Sequence, residues 1–300
     1  MKKIKNKANI LTGIILLIVL FTLGIFYFQK KSIGMVEEIS YKHPLIPIVN
    51  KNNPLYVSAQ AYIVVDVDTN TVLASKNENS RIYPASTTKL VTALTALNIY
   101  PLGEKVKVSE YKNGKIMELV DGDELTVGDL VKATLIHSAN DAAFNLAHKH
   151  IRGISGFVEE MNKLVKDNGL KNTNFANYDG LHQANHYSSA YDLAQIARIA
   201  IKNQTITETT KLKQAEVSGS KGIVYKLETT NELLEKVSQI KGLKTGWTPE
   251  AGGCFVSLIE IEGRRIIGVV LNSEYRFEDT QKIVNWVLEN VSWTDYWPEM

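Results

Sequence analysis

The apolar positions of this chain follow two periodicities, one typical of strands and one typical of helices. Apolar or β-branched runs at Ala61 to Asp66 and Thr71 to Ser75 flank a turn rich in Asp and Asn, a pattern that predicts a β-hairpin. Near the other end, Cys254 to Glu260 and Arg264 to Leu271 flank a short Glu-Gly turn and predict a second hairpin. The two hairpins are separated by nearly 180 residues.

The segment between the hairpins has the apolar spacing of helices with one buried face. These predicted helices are Leu90 to Leu97, Leu125 to Leu135, Asp141 to His150, Gly156 to Asn168 and Ala190 to Lys202. A final helix is predicted at about Phe277 to Asn290. Strands at both ends with helices inserted between them predict an α/β fold, in which N- and C-terminal segments complete one antiparallel sheet around an inserted all-α subdomain.

The N-terminal segment has a pattern of its own. Four lysines within the first seven residues precede an uncharged run from Ile10 to Phe28, which is long enough to cross the roughly 30 Å hydrocarbon core of a bilayer as a helix. We therefore predict an uncleaved anchor over residues 1–31, with the lysines in the cytoplasm and the rest of the chain outside the cell membrane. Three prolines predict a spacer over 32–55, followed by a globular domain at 56–291 and a tail at 292–300 that packs against it.

Composition narrows the function classes. The chain has 300 residues, of which 44% are hydrophobic, and its formal net charge of +2 gives no reason to expect nucleic acid as a partner. The single cysteine, Cys254, excludes an intramolecular disulfide and lies in an apolar run typical of a buried thiol. None of the six histidines belongs to a His-Glu-x-x-His pattern, so a zinc peptidase is disfavoured, and we expect no metal or cofactor.

One polar cluster stands at the start of the first predicted helix. Ser86 and Lys89 are three residues apart, and residues at this spacing share a helix face. If burial or a nearby cation lowered the pKa of Lys89, the neutral amine could accept the proton of the Ser86 hydroxyl. A Ser and a Lys at this spacing also occur by chance in most chains of this size, so the pair needs partners.

Two further clusters lie at the ends of predicted elements. Ser138 and Asn140 fall in a loop between two helices, where Asn140 or the following Asp141 could simply be the N-cap of the second helix. The other cluster is Lys244, Thr245 and Gly246, on a short predicted strand before a turn that contains proline and glycine. An ordinary edge strand could have the same sequence. Each cluster alone is therefore open to a structural explanation.

The order of the three clusters is more specific. The clusters resemble the three active-site motifs of penicillin-binding proteins and serine β-lactamases, which in this chain are Ser86-x-x-Lys89, Ser138-x-Asn140 and Lys244-Thr245-Gly246. The surrounding sequence resembles the low-molecular-mass D-alanyl-D-alanine carboxypeptidases over five stretches: Tyr83 to Lys89, Ser138 to Ala143, Gly169 to Phe175, His186 to Ala190 and Gly242 to Gly246. The resemblance runs from about Ala59 to the final helix and implies a β-lactamase/transpeptidase-like fold.

The resemblance implies a role for each motif residue. Ser86 would attack the carbonyl between two D-alanines of a peptidoglycan stem peptide and form an acyl-enzyme, with Lys89 accepting its proton. Ser138 would pass that proton toward the leaving nitrogen. The charge of Lys244 would help to keep Lys89 neutral, and Asn140 would hold the amide of the penultimate residue. β-Lactam antibiotics would acylate the same serine.

The resemblance also implies how the substrate is held. The backbone N–H groups of Ser86 and Trp247 would form the oxyanion hole, and Gly246 would allow close approach of the backbone. Thr245 would bind the terminal carboxylate of the substrate. Arg276 would assist, or would be no more than a solvated arginine at a helix start.

Three other functions remain open at this point. A D,D-endopeptidase acting on cross-links would use the same residues. A serine β-lactamase would need fast deacylation, and no Glu-x-x-Leu-Asn sequence lies between Asn140 and Lys244. A non-enzymatic, membrane-anchored binding protein would keep the fold without turnover.

Overall fold

The structure is a computed structural model that describes residues 17–25, 27 and 45–295. The chain divides into two compact units, Met1–His43 and Pro44–Met300. In the first unit, residues 17–25 and 27 are helical, and apolar side chains such as Leu17 and Phe21 are exposed. Across the described ranges, no helix is both long and apolar enough to cross a membrane. The rest of the predicted anchor, and the predicted spacer before residue 45, lie outside the described residues.

The second unit contains the strands and the remaining helices. The strands are β1 (Ile46–Val49), β2 (Ala61–Asp66), β3 (Val72–Lys76), β4 (Lys105–Lys107), β5 (Glu124–Thr126), β6 (Gln214–Ser218), β7 (Val224–Glu228), β8 (Ile240–Thr248), β9 (Gly252–Ile261), β10 (Arg264–Ser273) and β11 (Val291–Thr294). The helices are α1 (Thr88–Ile99), α2 (Val127–Lys132), α3 (Asn140–His148), α4 (Gly153–Asp167), α5 (Ala190–Ala200), α6 (Gln204–Thr210), α7 (Leu233–Lys236) and α8 (Arg276–Asn290). A 3₁₀ turn, Ala85–Thr87, precedes α1, and a π-helical turn, Ala133–His137, follows α2.

The main sheet has five strands in the order β3-β2-β10-β9-β8, and every neighbouring pair is antiparallel. The two predicted hairpins are β2–β3 and β9–β10, and β10 pairs with β2, so the ends of the unit complete one sheet as predicted. Strand β8 pairs with β9 alone among the described strands. Its other edge therefore faces the inserted helices.

The sheet separates two hydrophobic cores because side chains alternate between its faces. On β2, Ile63 and Val65 pack with the helical subdomain, whereas Tyr62 and Val64 pack with residues of α8 such as Ile283. All six residues of β2 are buried, as expected for a strand covered on both faces.

Helix α1 runs through the subdomain and is buried over nine of its twelve residues. The predicted apolar stripe beginning at Leu90 is correct, but burial is not confined to one face of the helix, because every residue from 88 to 96 is buried. Burial of this helix fixes the residues at its N-terminus, among them Ser86 in the preceding 3₁₀ turn.

The predicted spacer requires a correction. Residues Ile46–Val49, inside the predicted 32–55 spacer, form β1, which pairs with β11 in a two-stranded antiparallel sheet. Pro47 does not prevent this because a two-stranded ladder leaves edge positions that need no N–H donor. The tail does pack on the unit as predicted, since Trp293 Nε1 donates to Asp66 Oδ2 at 2.9 Å. Residues 296–300 of the tail lie outside the described residues.

Candidate active site

Ser86 and Lys89 are in direct contact. Lys89 Nζ donates to Ser86 Oγ at 3.0 Å and to the backbone oxygen of Asp179 at 2.7 Å. Ser86 is half-buried, whereas Lys89 is fully buried. The spacing of three residues across the start of α1 therefore places the hydroxyl and the amine as predicted.

The backbone around Ser86 is tightly packed. Ala85 has φ +48°, a left-handed conformation that is rare for a residue with a side chain and is typical of strained functional turns. A Cβ atom at Gly246 on β8 would lie 2.8 Å from the backbone nitrogen of Ser86. A Cβ at Gly180 would overlap the backbone oxygen of Ala85. Two glycines thus let neighbouring segments reach the serine turn.

The electrostatic surroundings favour the neutral form of Lys89. The pKa of Lys89 is lowered from its ordinary value to about 8, mainly by burial and also by the charge of Lys115, while Asp179 and Asp141 oppose the shift. At pH 7 about one tenth of such a group is neutral. An amine in contact with a hydroxyl and partly neutral at physiological pH can act as a general base.

Ser138 and Asn140 lie on the loop between the π-helical turn and α3. Ser138 has φ +63° and is 7% exposed, and its hydroxyl has no hydrogen-bond partner within residues 45–295. Asn140 is 3% exposed and begins α3 without any side-chain cap bond. The alternative that the Asn140 side chain is a simple N-cap is thus not supported.

A loop at residues 113–119 holds Asn140 in place. Asn140 Nδ2 donates to the backbone oxygen of Asn113 at 3.1 Å, and the Asn140 N–H donates to the backbone oxygen of Lys115 at 2.6 Å. The neighbouring Asp141 carboxylate accepts hydrogen bonds from the N–H groups of Met117 and Leu119. Asn140 Oδ1 accepts no bond within the described residues.

The third cluster lies on the edge strand β8. Lys244 is 1% exposed, and its Nζ donates to the backbone oxygen of Thr245 at 3.0 Å. Burial lowers the pKa of Lys244 well below its ordinary value, with further lowering by the charges of Lys89, Lys115 and Arg276. Lys89 and Lys244 therefore disfavour each other's charge, and Lys115 is a further cation that lowers the pKa of Lys89.

The other residues of this cluster lie beside it along β8. Thr245 Oγ1 is 2.6 Å from Thr230 Oγ1, and Thr245 is 4% exposed. Trp247 is 59% exposed and follows Gly246, which packs on the Ser86 turn. The backbone of Gly246 therefore lies next to the backbone of Ser86, at a helix start whose first N–H groups lack intrahelical partners.

Arg276 is the first residue of α8 and is partly buried. Its guanidinium stacks on the Phe277 ring at 4.5 Å, and its Nε is buried without a hydrogen-bond partner. A Cβ at Gly253 would lie 3.1 Å from Arg276 Cβ, so the arginine packs directly on β9. Burial lowers the pKa of Arg276, and its charge also acts on Lys244. Arg276 as a whole is partly buried, and the charges of Glu232 and Glu278 oppose the lowering of its pKa.

Sequence patterns did not identify three residues of this site. Lys115 supplies the charge near Lys89, Asp179 supplies the carbonyl that accepts from Lys89 Nζ, and Tyr111 donates to Asp179 Oδ2 at 2.8 Å. Asp179 precedes Gly180, which lies close to the Ser86 turn in the structure. Lys115 and Tyr111 lie in a polar loop that has no distinctive spacing.

The fold defines the class of protein. The crystal structure of the Streptomyces K15 DD-transpeptidase matches with a TM-score of 0.74 at 31% identity, covering 79% of this chain and 99% of that chain. An evolved homologue of a penicillin-binding protein from Mycobacterium tuberculosis matches with a TM-score of 0.76 at 27% identity, covering 80% of this chain and 95% of that chain. The Pro44–Met300 unit therefore has the α/β fold of the penicillin-binding proteins.

The sequence comparisons identify the family within that class. Residues 48–275 match the family model described as D-alanyl-D-alanine carboxypeptidase. D-alanyl-D-alanine carboxypeptidase DacF of Bacillus subtilis is 34% identical over 231 residues, which are 74% of this chain and 59% of that protein. The D-alanyl-D-alanine carboxypeptidase of Streptomyces strain K15 is 32% identical over 241 residues, 73% of this chain and 83% of that protein. This chain belongs to the D-alanyl-D-alanine carboxypeptidase family.

Proposed function

We propose that this protein is a serine D-Ala-D-Ala carboxypeptidase that removes the terminal D-alanine from peptidoglycan stem peptides and is inhibited by β-lactams. The observation that carries the proposal is the contact of 3.0 Å between Lys89 Nζ and Ser86 Oγ, with the pKa of Lys89 lowered to about 8. Membership of the family, and the names of its relatives, support the substrate class.

The reaction begins with acylation. Neutral Lys89 accepts the hydroxyl proton as Ser86 Oγ bonds to the carbonyl carbon between the two D-alanines. The carbonyl oxygen becomes negative and is stabilised by the N–H groups of Ser86 and Trp247; one such donor contributes about 10²- to 10³-fold in rate. When the C–N bond breaks, the proton passes through Ser138 to the departing D-alanine nitrogen. Water then hydrolyses the ester and restores Ser86.

The terminal carboxylate gives a reason for carboxypeptidase action. Thr245 and Gly246 lie on β8, whose outer edge pairs with no described strand, and the basic residues Lys244 and Arg276 lie near them. An arriving carboxylate raises the pKa of Lys244 and favours its ammonium form, so binding strengthens the ion pair. Asn140 Oδ1 accepts the N–H of the penultimate D-alanine at the opposite wall of the site.

We also propose that the N-terminal segment is a single membrane-spanning anchor and that the peptidase unit lies on the cell-wall side. Support comes from the four leading lysines, from the uncharged run Ile10 to Phe28, and from the exposed apolar side chains of the helix at 17–25. Alkaline extraction of membranes tests it. The full chain should stay in the pellet, and a chain lacking residues 1–31 should be released.

Release of D-alanine from a diacyl-Lys-D-Ala-D-Ala peptide tests the proposed activity. We expect release by the full-length protein and by the matched control Ser238→Ala, which alters an exposed serine in a distant turn, and none by Ser86→Ala. Cleavage of cross-linked dimers without D-alanine release would indicate an endopeptidase. Rapid penicillin hydrolysis would indicate a β-lactamase. A stable penicillin adduct without turnover of any peptide would indicate a non-enzymatic binding protein.

A further inference from the structure

A tyrosine outside the three sequence motifs contacts the residue that holds Lys89. Tyr111 Oη donates to Asp179 Oδ2 at 2.8 Å, and the backbone oxygen of Asp179 accepts from Lys89 Nζ at 2.7 Å. Asp179 is buried, whereas Tyr111 is half-buried. The chemistry described above uses the Asp179 backbone oxygen, but it gives no role to the Asp179 carboxylate or to Tyr111.

The Asp179 carboxylate affects Lys89 without bonding to it. Lys89 Nζ contacts the backbone oxygen of Asp179, and within residues 45–295 the lysine forms no ion pair. The carboxylate is nevertheless close enough for its charge to raise the pKa of Lys89, against the lowering effect of burial. An ammonium that pairs with a carboxylate holds its proton more firmly. The orientation of this carboxylate therefore decides how readily Lys89 becomes a neutral amine.

Both oxygens of the Asp179 carboxylate are bound by other donors. The Leu181 N–H donates to Oδ1 at 3.1 Å, and Tyr111 donates to Oδ2. Together they fix the carboxylate in an orientation in which it accepts nothing from Lys89. The Leu181 donor belongs to the backbone, so Tyr111 is the one of the two that a side-chain substitution can remove.

Tyr111 is itself held in place by α3, the helix that begins at Asn140 of the second motif. Its ring stacks on the Phe144 ring with centroids 4.8 Å apart and planes inclined by 18°. Two residues earlier, the Ser109 N–H donates to Asn145 Oδ1 at 2.8 Å, and Asn145 Nδ2 donates back to the Ser109 backbone oxygen at 3.1 Å. The pKa of Tyr111 is raised to about 12, mainly by burial, so its hydroxyl remains a donor at physiological pH. Packing thus preorganises this donor.

We infer that Tyr111 is a positioning residue for the acylation of Ser86, which binds the Asp179 carboxylate and thereby keeps it from pairing with Lys89. The inference rests on the acylation step of the proposed function. Without the Tyr111 hydroxyl, one buried carboxylate oxygen loses its partner, and the Lys89 ammonium is available to replace it. With the hydroxyl present, Lys89 Nζ keeps its contacts with Ser86 Oγ and with the Asp179 backbone oxygen.

The pH dependence of acylation by a fluorescent penicillin tests the inference in the full-length protein. Tyr111→Phe removes one oxygen and keeps the stacked ring. We expect the midpoint of the rising limb to move up by about one pH unit, because the freed carboxylate stabilises the charged form of Lys89. Acylation should then be about tenfold slower at pH 7 and within about threefold of the wild-type rate at pH 10. The other charged groups near Lys89 are unchanged in this variant, namely Asp141, Lys115 and Lys244.

Asp179→Asn separates the positioning role from simple packing. Loss of the charge should move the midpoint below that of the wild type, since the charge of Asp179 raises the pKa of Lys89. Adding Tyr111→Phe to Asp179→Asn should leave the midpoint where it is, because no carboxylate remains to pair with the lysine. The matched control is Tyr191→Phe, which removes the hydroxyl of a half-buried tyrosine on α5 and should keep the wild-type profile.

Two outcomes would overturn the positioning role. In the first, Tyr111→Phe lowers the rate by the same factor at every pH, or not at all, so that the midpoint is unchanged. In the second, the shift caused by Tyr111→Phe persists in the Asp179→Asn background, which would mean that it does not act through the carboxylate. Thermal midpoints measured in parallel confirm that each variant is folded.

Acylation by penicillin requires no release of D-alanine, so this inference and the proposed function can fail separately. The expected shift without release from a diacyl-Lys-D-Ala-D-Ala peptide would support the role of Tyr111 and reject the carboxypeptidase. Where D-alanine is released, Tyr111→Phe should lower kcat at pH 7 and keep KM within about twofold. A higher KM with unchanged kcat would instead place Tyr111 in substrate binding and reject the positioning role.

Discussion

Gly246 sits where β8 touches the turn that carries Ser86, and its replacement by alanine is a direct test of the site's packing. The new Cβ would lie 2.8 Å from the Ser86 nitrogen, 3.0 Å from Ala85 Cβ and 3.0 Å from the Thr87 nitrogen. Carbon contacts are optimal near 3.5 Å, so β8 and the serine turn must separate by roughly 0.7 Å. No flexible side-chain end is available to move aside.

The separation should damage acylation more than stability. A misplacement of about 1 Å costs on the order of 10²-fold in rate, and loss of one oxyanion donor costs about 10²- to 10³-fold. Overpacking of this kind destabilises a fold by about 1–3 kcal/mol. We therefore expect Gly246→Ala to remain folded and to react with a fluorescent penicillin about 100-fold more slowly, measured as the second-order acylation rate constant.

Gly103→Ala is the matched control, because a Cβ at Gly103 meets no atom within 4 Å. It should acylate at the wild-type rate. If Gly246→Ala reacts within threefold of the wild type while its thermal midpoint is unchanged, the close contact between β8 and the Ser86 turn does not form the oxyanion hole, and our reasoning fails.

The remaining predictions concern charge. Acylation should rise about tenfold per pH unit below pH 7 and level off above the Lys89 pKa of about 8, because only the neutral amine accepts the proton; a rate that is flat from pH 6 to 9 would contradict this. Lys115→Gln removes a cation that lowers the Lys89 pKa, so the rising limb should move to higher pH, whereas Lys112→Gln, beside Glu110 on the surface, should leave it in place. Asp141→Asn should lower the free energy of unfolding by about 2 kcal/mol, because its carboxylate accepts from the N–H groups of Met117 and Leu119 in the 113–119 loop and from that of Ala142; an unchanged urea midpoint would disprove that role.

Local patterns predicted the elements that carry the site. The period of apolar positions identified α1 from Leu90 onward, and the turn residues identified the β9–β10 hairpin. These features depend on neighbours within a few residues. The Ser86–Lys89 contact belongs to the same group, because one helical turn brings the two side chains together.

Features that depend on distant segments were not predictable. Asp179 acts on Lys89 through a backbone oxygen, which every residue type possesses, and it lies 90 residues away along the chain. Lys115 lowers the Lys89 pKa from a loop whose sequence is typical of any polar surface loop. The β1 strand at Pro47 depends on pairing with β11 at the other end of the chain, a partner that proline-based rules cannot anticipate.

Intact mass after treatment with benzylpenicillin tests the central claim, that Lys89 activates Ser86 as the acylated nucleophile. The account predicts that the full-length protein gains the mass of one penicillin, that the adduct maps to the peptide containing Ser86, and that both Ser86→Ala and Lys89→Gln abolish it while Ser238→Ala does not. An adduct that persists in Ser86→Ala, or no adduct on the wild-type protein, would contradict the account.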